Sequence, residues 1–264
     1  MAAAHGKQKH MRQTLKTELK HALTTPGFYL GLAGVVFALF CGCFQGIVTA
    51  FRSEEPSVYG FHLNLLLMAM NSDVFRMTLP IWASLPYTAS FCDDIKTGFI
   101  RLYLHRSSVG QYLLSRFAAC LFSGFLLPWL SIFVVGGLLA LLTLPLQAAP
   151  EAGITLLELQ HQVAGAGLSA AFVGTFCAAA GLLFSTLTDS RYIAYASPFV
   201  LYYLLIIFHE RYCTWLYILY PYSWLNPGTE WPLGRWGADF IVAELTACLG
   251  AAFCFFAGRR LRKL

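Results

Sequence analysis

Apolar and polar positions along this chain segregate into long blocks. Six apolar stretches, at about 27–51, 74–91, 112–142, 162–186, 192–208 and 238–258, each reach the roughly 17 to 25 residues that an α-helix needs to cross a bilayer. The pattern predicts an all-α polytopic membrane protein with six transmembrane helices. Basic residues in the intervening segments collect on alternate sides. Lys7, Lys9, Arg12, Lys16 and Lys20 precede the first stretch, and Lys96, Arg101, Arg106 and Arg116 follow the second. Arg191 follows the fourth, and Arg259, Arg260, Arg262 and Lys263 follow the sixth. The opposite segments hold Arg52, Arg211 and Arg235, with Arg76 near the start of the second stretch. The positive-inside rule then puts both termini in the cytoplasm, and the expected location is the cell (plasma) membrane, multi-pass.

Shorter segments carry helical periodicity. Within 8–24, Met11, Leu15, Leu19 and Leu23 recur every four residues among Arg12, Gln13, Lys16, Glu18 and Lys20, which predicts an amphipathic helix lying along the inner membrane surface. Thr25 and Pro26 suit the N-cap and first turn of the spanning helix that follows. Within about 94–105, Ile95, Phe99, Leu102 and Tyr103 share one face, whereas Lys96, Arg101 and His105 carry the other. With Asp93 and Asp94 at its start, this predicts a short cytoplasmic helix able to act as a lever. Phe61 to Met70 is apolar but too short to cross, and Asn71, Ser72 and Asp73 follow it; a re-entrant or surface helix is expected. The segment 209–237 holds Trp215, Trp224, Trp231 and Trp236 with several tyrosines, so it should dip into or lie on the outer leaflet. Pro221, Pro227 and Pro232 argue against one continuous helix there.

Small residues at four-residue spacing mark faces where helices approach closely: Gly27 with Gly31, then Ala170, Gly174 and Ala178, then Ala243, Ala247 and Ala251. Pro80, Pro86, Pro128 and Pro198 interrupt other stretches and are expected to kink them.

Composition agrees with one membrane domain over 1–264. A hydrophobic fraction of 58% and a charged fraction of 12% leave no room for a soluble domain of ordinary composition. The net charge of +5 resides on residues flanking the spans, so it reads as topology anchoring against anionic lipid and not as nucleic-acid binding. The first apolar run is longer than the roughly 7 to 15 residues of a secretory signal core, and is expected to be retained. Of the eight cysteines, Cys41, Cys43, Cys120, Cys177, Cys248 and Cys254 fall inside predicted spans, as small packing residues instead of disulfide partners or metal ligands.

Chemistry is sparse. Glu244 lies well inside the last stretch, where a charge costs roughly 2.5 to 3.5 kcal/mol at mid-bilayer. It should face protein or water or be protonated, as part of a substrate path or as an interhelical hydrogen bond. Asp73 and Arg76, at i and i+3, are expected to neutralise each other. Histidines lie outside or at the edges of the spans, Glu54 and Glu55 have no partner at helical spacing, and Gly6-Lys7 lacks the rest of a phosphate-binding loop. The chain reads as a transport subunit without catalytic or metal-binding residues.

Together, the flat N-terminal helix, six spans, cytoplasmic helix after the second span and aromatic loop before the sixth resemble the ABC-2 type permeases, the membrane subunits of one class of ATP-binding-cassette exporters. The stretch from Phe91 through Asp93, Asp94 and Gly98 to Leu102 resembles the acidic-then-glycine approach to that family's coupling helix. Gln111 to Arg116 is similar to the start of its third span, and Tyr220 to Leu225 to its proline-aromatic motif. This chain has Asp94 where the family often has Glu, and no proline near Ser107 or Ser108. The resemblance implies that Asp94, Lys96, Gly98, Phe99, Arg101 and Leu104 couple to an ATPase. It implies a second permease, identical or related, two ATP-binding-cassette subunits that hold ATP and Mg in place of this chain, and membrane lipid as the remaining partner. A path along the permease interface would draw on Trp82, Tyr87, Tyr202 and Tyr203, with Glu244 as a further candidate. The implied activity is export of a hydrophobic or amphipathic substrate, such as an antimicrobial or amphipathic peptide or a lipophilic drug. A six-span substrate-capture subunit and an ion-coupled secondary transporter are the alternatives.

Overall fold

The computed structural model describes residues 14–52, 60–98, 100, 108–143, 156–229 and 231–262. Among these the secondary structure is helical, with no strand. The order is α1 (14–24), α2 (Pro26–Arg52), α3 (Phe61–Asn71), α4 (Asp73–Ser84), α5 (Ser90–Lys96), α6 (Val109–Thr143), α7 (Leu156–Thr188), α8 (Arg191–Arg211), a 3-10 turn (Tyr217–Leu219), α9 (Pro221–Leu225) and α10 (Arg235–Leu261). Five of these helices, α2, α6, α7, α8 and α10, are long and apolar enough to cross a membrane, so the chain is a multi-pass helical membrane protein. Lys16, Lys20, Lys96, Arg191 and Arg260 collect at one end of the bundle, the basic end; the aromatic segment, residues 212–229 and 231–234, belongs to the other.

The second apolar stretch departs from expectation. α4 stops at Ser84, residues 85–89 form turns, and α5 starts only at Ser90. Pro86 is the physical reason: proline has no N–H to continue the ladder, and although Leu85 keeps helical backbone its N–H already turns to the Trp82 carbonyl three residues back, at 3.3 Å. So 74–91 is not one helix. Instead α3 and α4 in succession line the whole of α2, as its glycines show. A Cβ added at Gly46 would meet Leu65, at Gly42 Ser72, at Gly34 and Gly31 Trp82, and at Gly27 the Leu85 carbonyl. The pair therefore runs antiparallel to α2 from Gly46 to Gly27, over about 28 Å at the helical rise. Phe61 to Met70 is correspondingly no surface helix: Leu63, Leu65, Leu66, Ala69 and Met70 are buried. At the break Ser72 is extended, and its hydroxyl accepts from the Phe75 N–H at 3.3 Å, capping α4.

α7 is the axis of the bundle. Buried residues make up 83% of its apolar window, against 39% or less in the other four long helices. The Ala170, Gly174 and Ala178 stripe explains the fit, since a Cβ at Gly174 would strike the Gly124 carbonyl and Pro128 of α6, and one at Gly124 would strike Ala178. The corresponding stripe on α10 is not used within the chain; Ala247 and Ala251 are exposed. The aromatic segment folds back into the bundle. Trp224 is fully buried edge-on to Phe176 of α7 at 5.1 Å, and its indole N–H donates to the Ile218 carbonyl at 2.8 Å. Pro221 occupies the first turn of α9, where its missing N–H is not needed. All eight cysteines are free thiols.

Candidate functional site

Two polar clusters stand out against this apolar framework. The first, at the basic end, is centred on Arg116, the charge about two turns inside α6. Its guanidinium pairs with Glu18 of α1 at 3.0 Å and with Asp94 of α5, all three side chains being largely withdrawn from solvent. The Tyr112 hydroxyl donates to Asp94 at 2.6 Å, the Tyr87 hydroxyl donates to Glu18, and Arg116 donates to the Tyr87 oxygen. The guanidinium carbon also lies 5.2 Å and 5.4 Å from the ring centres of Tyr87 and Tyr112, within cation–π range. Burial pushes the Tyr87 phenol well up, against the pull of Arg116 and with the help of Glu18, so it stays protonated and can donate. One cation thus holds two carboxylates from different helices. A buried pair of this kind costs about 3–5 kcal/mol when one partner is removed, because the other charge is left uncompensated.

This cluster makes α1, the 85–89 turn, α5 and the start of α6 a single body. Asp93 extends it by pairing with Arg191 at the start of α8. At the adjacent end of α10, Arg260 pairs with Asp189 and donates to the Thr186 carbonyl at 2.8 Å.

Of the residues expected to couple to an ATPase, Asp94 belongs to the cluster and Lys96 is the exposed last residue of α5. Gly98 is exposed, has φ +70, and has no other atoms within 4 Å of where a Cβ would sit. The α5 helix ends here, as the Gly98 N–H donates to the Ile95 carbonyl at 3.2 Å, so the helix expected at 94–105 does not run unbroken through Gly98. Phe99, Arg101 and Leu104 lie outside the described residues, as do residues 8–13 of the amphipathic N-terminal helix.

The second cluster surrounds the α3–α4 break. Arg76 donates to the Asn71 side-chain oxygen at 2.6 Å across the break, and its guanidinium lies 5.6 Å from the Tyr222 ring of the segment that folds back. The expected Asp73–Arg76 pair is not the contact made; Asp73 is exposed beside it. Tyr220 bridges to α8, stacking on His209 at 4.1 Å and donating to Glu210 at 3.3 Å. Tyr202 is buried among these groups, and its hydroxyl has no partner among the described residues. The height of the cluster follows from α8. Ser84, at the foot of α4, donates to the Tyr195 carbonyl at 3.1 Å, and Arg76 lies eight residues, about 12 Å, farther from the basic end. That is close to the middle of the bundle.

The expected path residues separate accordingly. Tyr202 and Tyr203 are on α8 near this second cluster, Tyr203 exposed and stacked on Phe199 at 6.0 Å. Trp82 packs on Gly31 and Gly34 of α2, and Tyr87 is drawn into the basic-end cluster, away from Tyr202. Glu244 is exposed on α10, with no hydrogen bond or ion pair among the described residues. Sequence reasoning missed Glu18, Arg116, Asn71 and Glu210. Glu18 carries a signal: it falls on the Leu15–Leu19–Ala22 face of its helix, where a solvated charge does not belong. Arg116 carries another, as a charge within an apolar stretch.

No family model matches this chain, and neither a curated protein nor a solved structure does.

Proposed function

We propose that this chain is the permease subunit of an ATP-driven exporter of the ABC-2 type, moving a hydrophobic or amphipathic substrate out of the cell. In this reading the basic end is cytoplasmic, the membrane is the plasma membrane, and α3 with α4 forms the second of six crossings in two pieces. The observation that carries the reading is the Arg116 cluster. It ties the exposed end of α5, at Lys96 and Gly98, to α1 and α6 through buried ion pairs. A push on that end by a separate nucleotide-hydrolysing subunit would therefore tilt long helices instead of bending a loop. The path runs beside the α3–α4 break, where Asn71, Arg76, Tyr202, Tyr222 and Glu210 give an otherwise apolar wall the polar groups that an amphipathic cargo needs. Intramembrane ionisable residues are expensive, and a transport path is their usual reason.

The break itself supports a second reading, an ion-coupled secondary carrier, since such carriers place interrupted helices at mid-membrane. Reconstitution separates the two. Vesicles holding the chain together with an ATPase partner should accumulate a fluorescent amphipathic peptide only when ATP is supplied, and vesicles holding the chain alone should not. Gradient-driven uptake by the chain alone would sink the exporter reading in favour of the carrier.

A further inference from the structure

A cavity of about 390 Å³ lies between α3, α6 and α7, in the half of the molecule remote from the basic end. Its wall is hollowed by Gly136, Gly137 and Gly167 and completed by Leu66, Ile132 and Trp129. His62, in the first turn of α3, and Gln160, in the second turn of α7, bring polar groups to it. Both helices start at the end opposite the basic one, so these polar groups mark the cavity's upper end.

Dimensions decide what fits. From Ala140 to Trp129 the cavity follows α6 for about 16 Å, a length over which a helix 10–12 Å across would fill about 1,250 Å³ or more, several times the cavity's volume. A partner helix does not fit inside it, whereas a single extended hydrocarbon chain does. The volume lies in the range of about 300–1,000 Å³ typical of small-molecule sites. One side is open, since Phe133, Gly137, Gln160 and Ala164 are exposed, which leaves room outside for a second chain.

We infer that this cavity holds one acyl chain of a phospholipid. The chain lies along Gly137 and Gly167, the ester and phosphate oxygens meet His62 and Gln160, and the second chain stays in the surrounding bilayer. This fastens α3 to the α6–α7 pair and is independent of the transport reading.

The glycine at 137 provides the test. An added Cβ there meets nothing within 4 Å, so Gly137→Phe occupies the cavity without disturbing the helix contacts, and Ala164→Leu fills it from the other wall. The full chain is placed in phosphatidylcholine nanodiscs doped with phosphatidylcholine carrying a diazirine in one acyl chain, and labelled peptides are read by mass spectrometry. Label should concentrate on residues 129–140 and 160–167 and fall about tenfold in each variant, equivalent to about 1.4 kcal/mol of lost occupancy. Label on the outward face of α10, at Phe240 and Phe255, should not change and reports ordinary surrounding lipid. His62→Ala with Gln160→Ala should weaken labelling by the phosphatidylcholine probe but not by a diazirine-bearing hexadecane. Cavity labelling no denser than on α10 and unmoved by both filling variants would overturn the inference. So would equal loss of both probes in the His62/Gln160 variant, or a chain-to-chain cross-link from a photoreactive residue at position 137.

Discussion

Single side chains settle how firmly the basic end is built. Arg116→Leu leaves Glu18 and Asp94 buried without a cation and should lower stability by about 3–5 kcal/mol, seen as a depressed melting temperature in detergent. Adding Glu18→Gln and Asp94→Asn to that variant should restore most of the loss, because no uncompensated charge remains; failure to recover would mean that the cluster contributes through packing. Gly98 tests the backbone in the same place. With φ at +70 and open space around it, Gly98→Ala meets strain and no clash, so a cost of about 1–2 kcal/mol is expected from the left-handed conformation alone. Hydrogen exchange at the end of α5 should register that fraying.

At the scale of elements, the contact between α2 and α4 depends on the absence of side chains. Gly34→Leu drives a side chain into the Trp82 ring and should destabilise the pair by about 1–3 kcal/mol, the usual range for overpacking. Trp82→Ala in the same chain should return part of that, and a strictly additive double variant would show that the two positions do not touch. The α3–α4 break makes a separate prediction about activity. Arg76→Met preserves the volume of the side chain but removes the charge shared with Asn71 and Tyr222. On the proposed exporter reading it should reduce transport of an amphipathic cargo while leaving the unfolding free energy within about 1 kcal/mol of the parent's. Arg76→Lys should keep part of the activity, since charge survives although the fork geometry does not.

For the molecule as a whole, helical content and membrane character were legible in the sequence because both depend on local quantities. A run of apolar residues long enough to cross makes helix the only economical backbone in lipid, whatever its neighbours do. The α7 stripe of small residues could likewise be read as a packing face. The placement of partners was not legible in the same way. Asp94 and Arg116 lie 22 residues apart, and Glu18 lies 76 residues before Asp94; only the return of the chain through the bundle makes them one cluster.

The α3–α4 pair marks the boundary between the two kinds of information. Apolar chain on both sides of Asn71, Ser72 and Asp73, and a proline at 86 that opposes a helix continuing past it, are properties of the amino-acid order alone. That 61–71 joins 73–84 against the glycine face of α2, carrying Arg76 to mid-height instead of leaving it at an end, follows from packing between distant parts of the chain. Helix propensity and hydropathy are set within a few turns, whereas depth in the bundle is set by which distant surface a segment packs against.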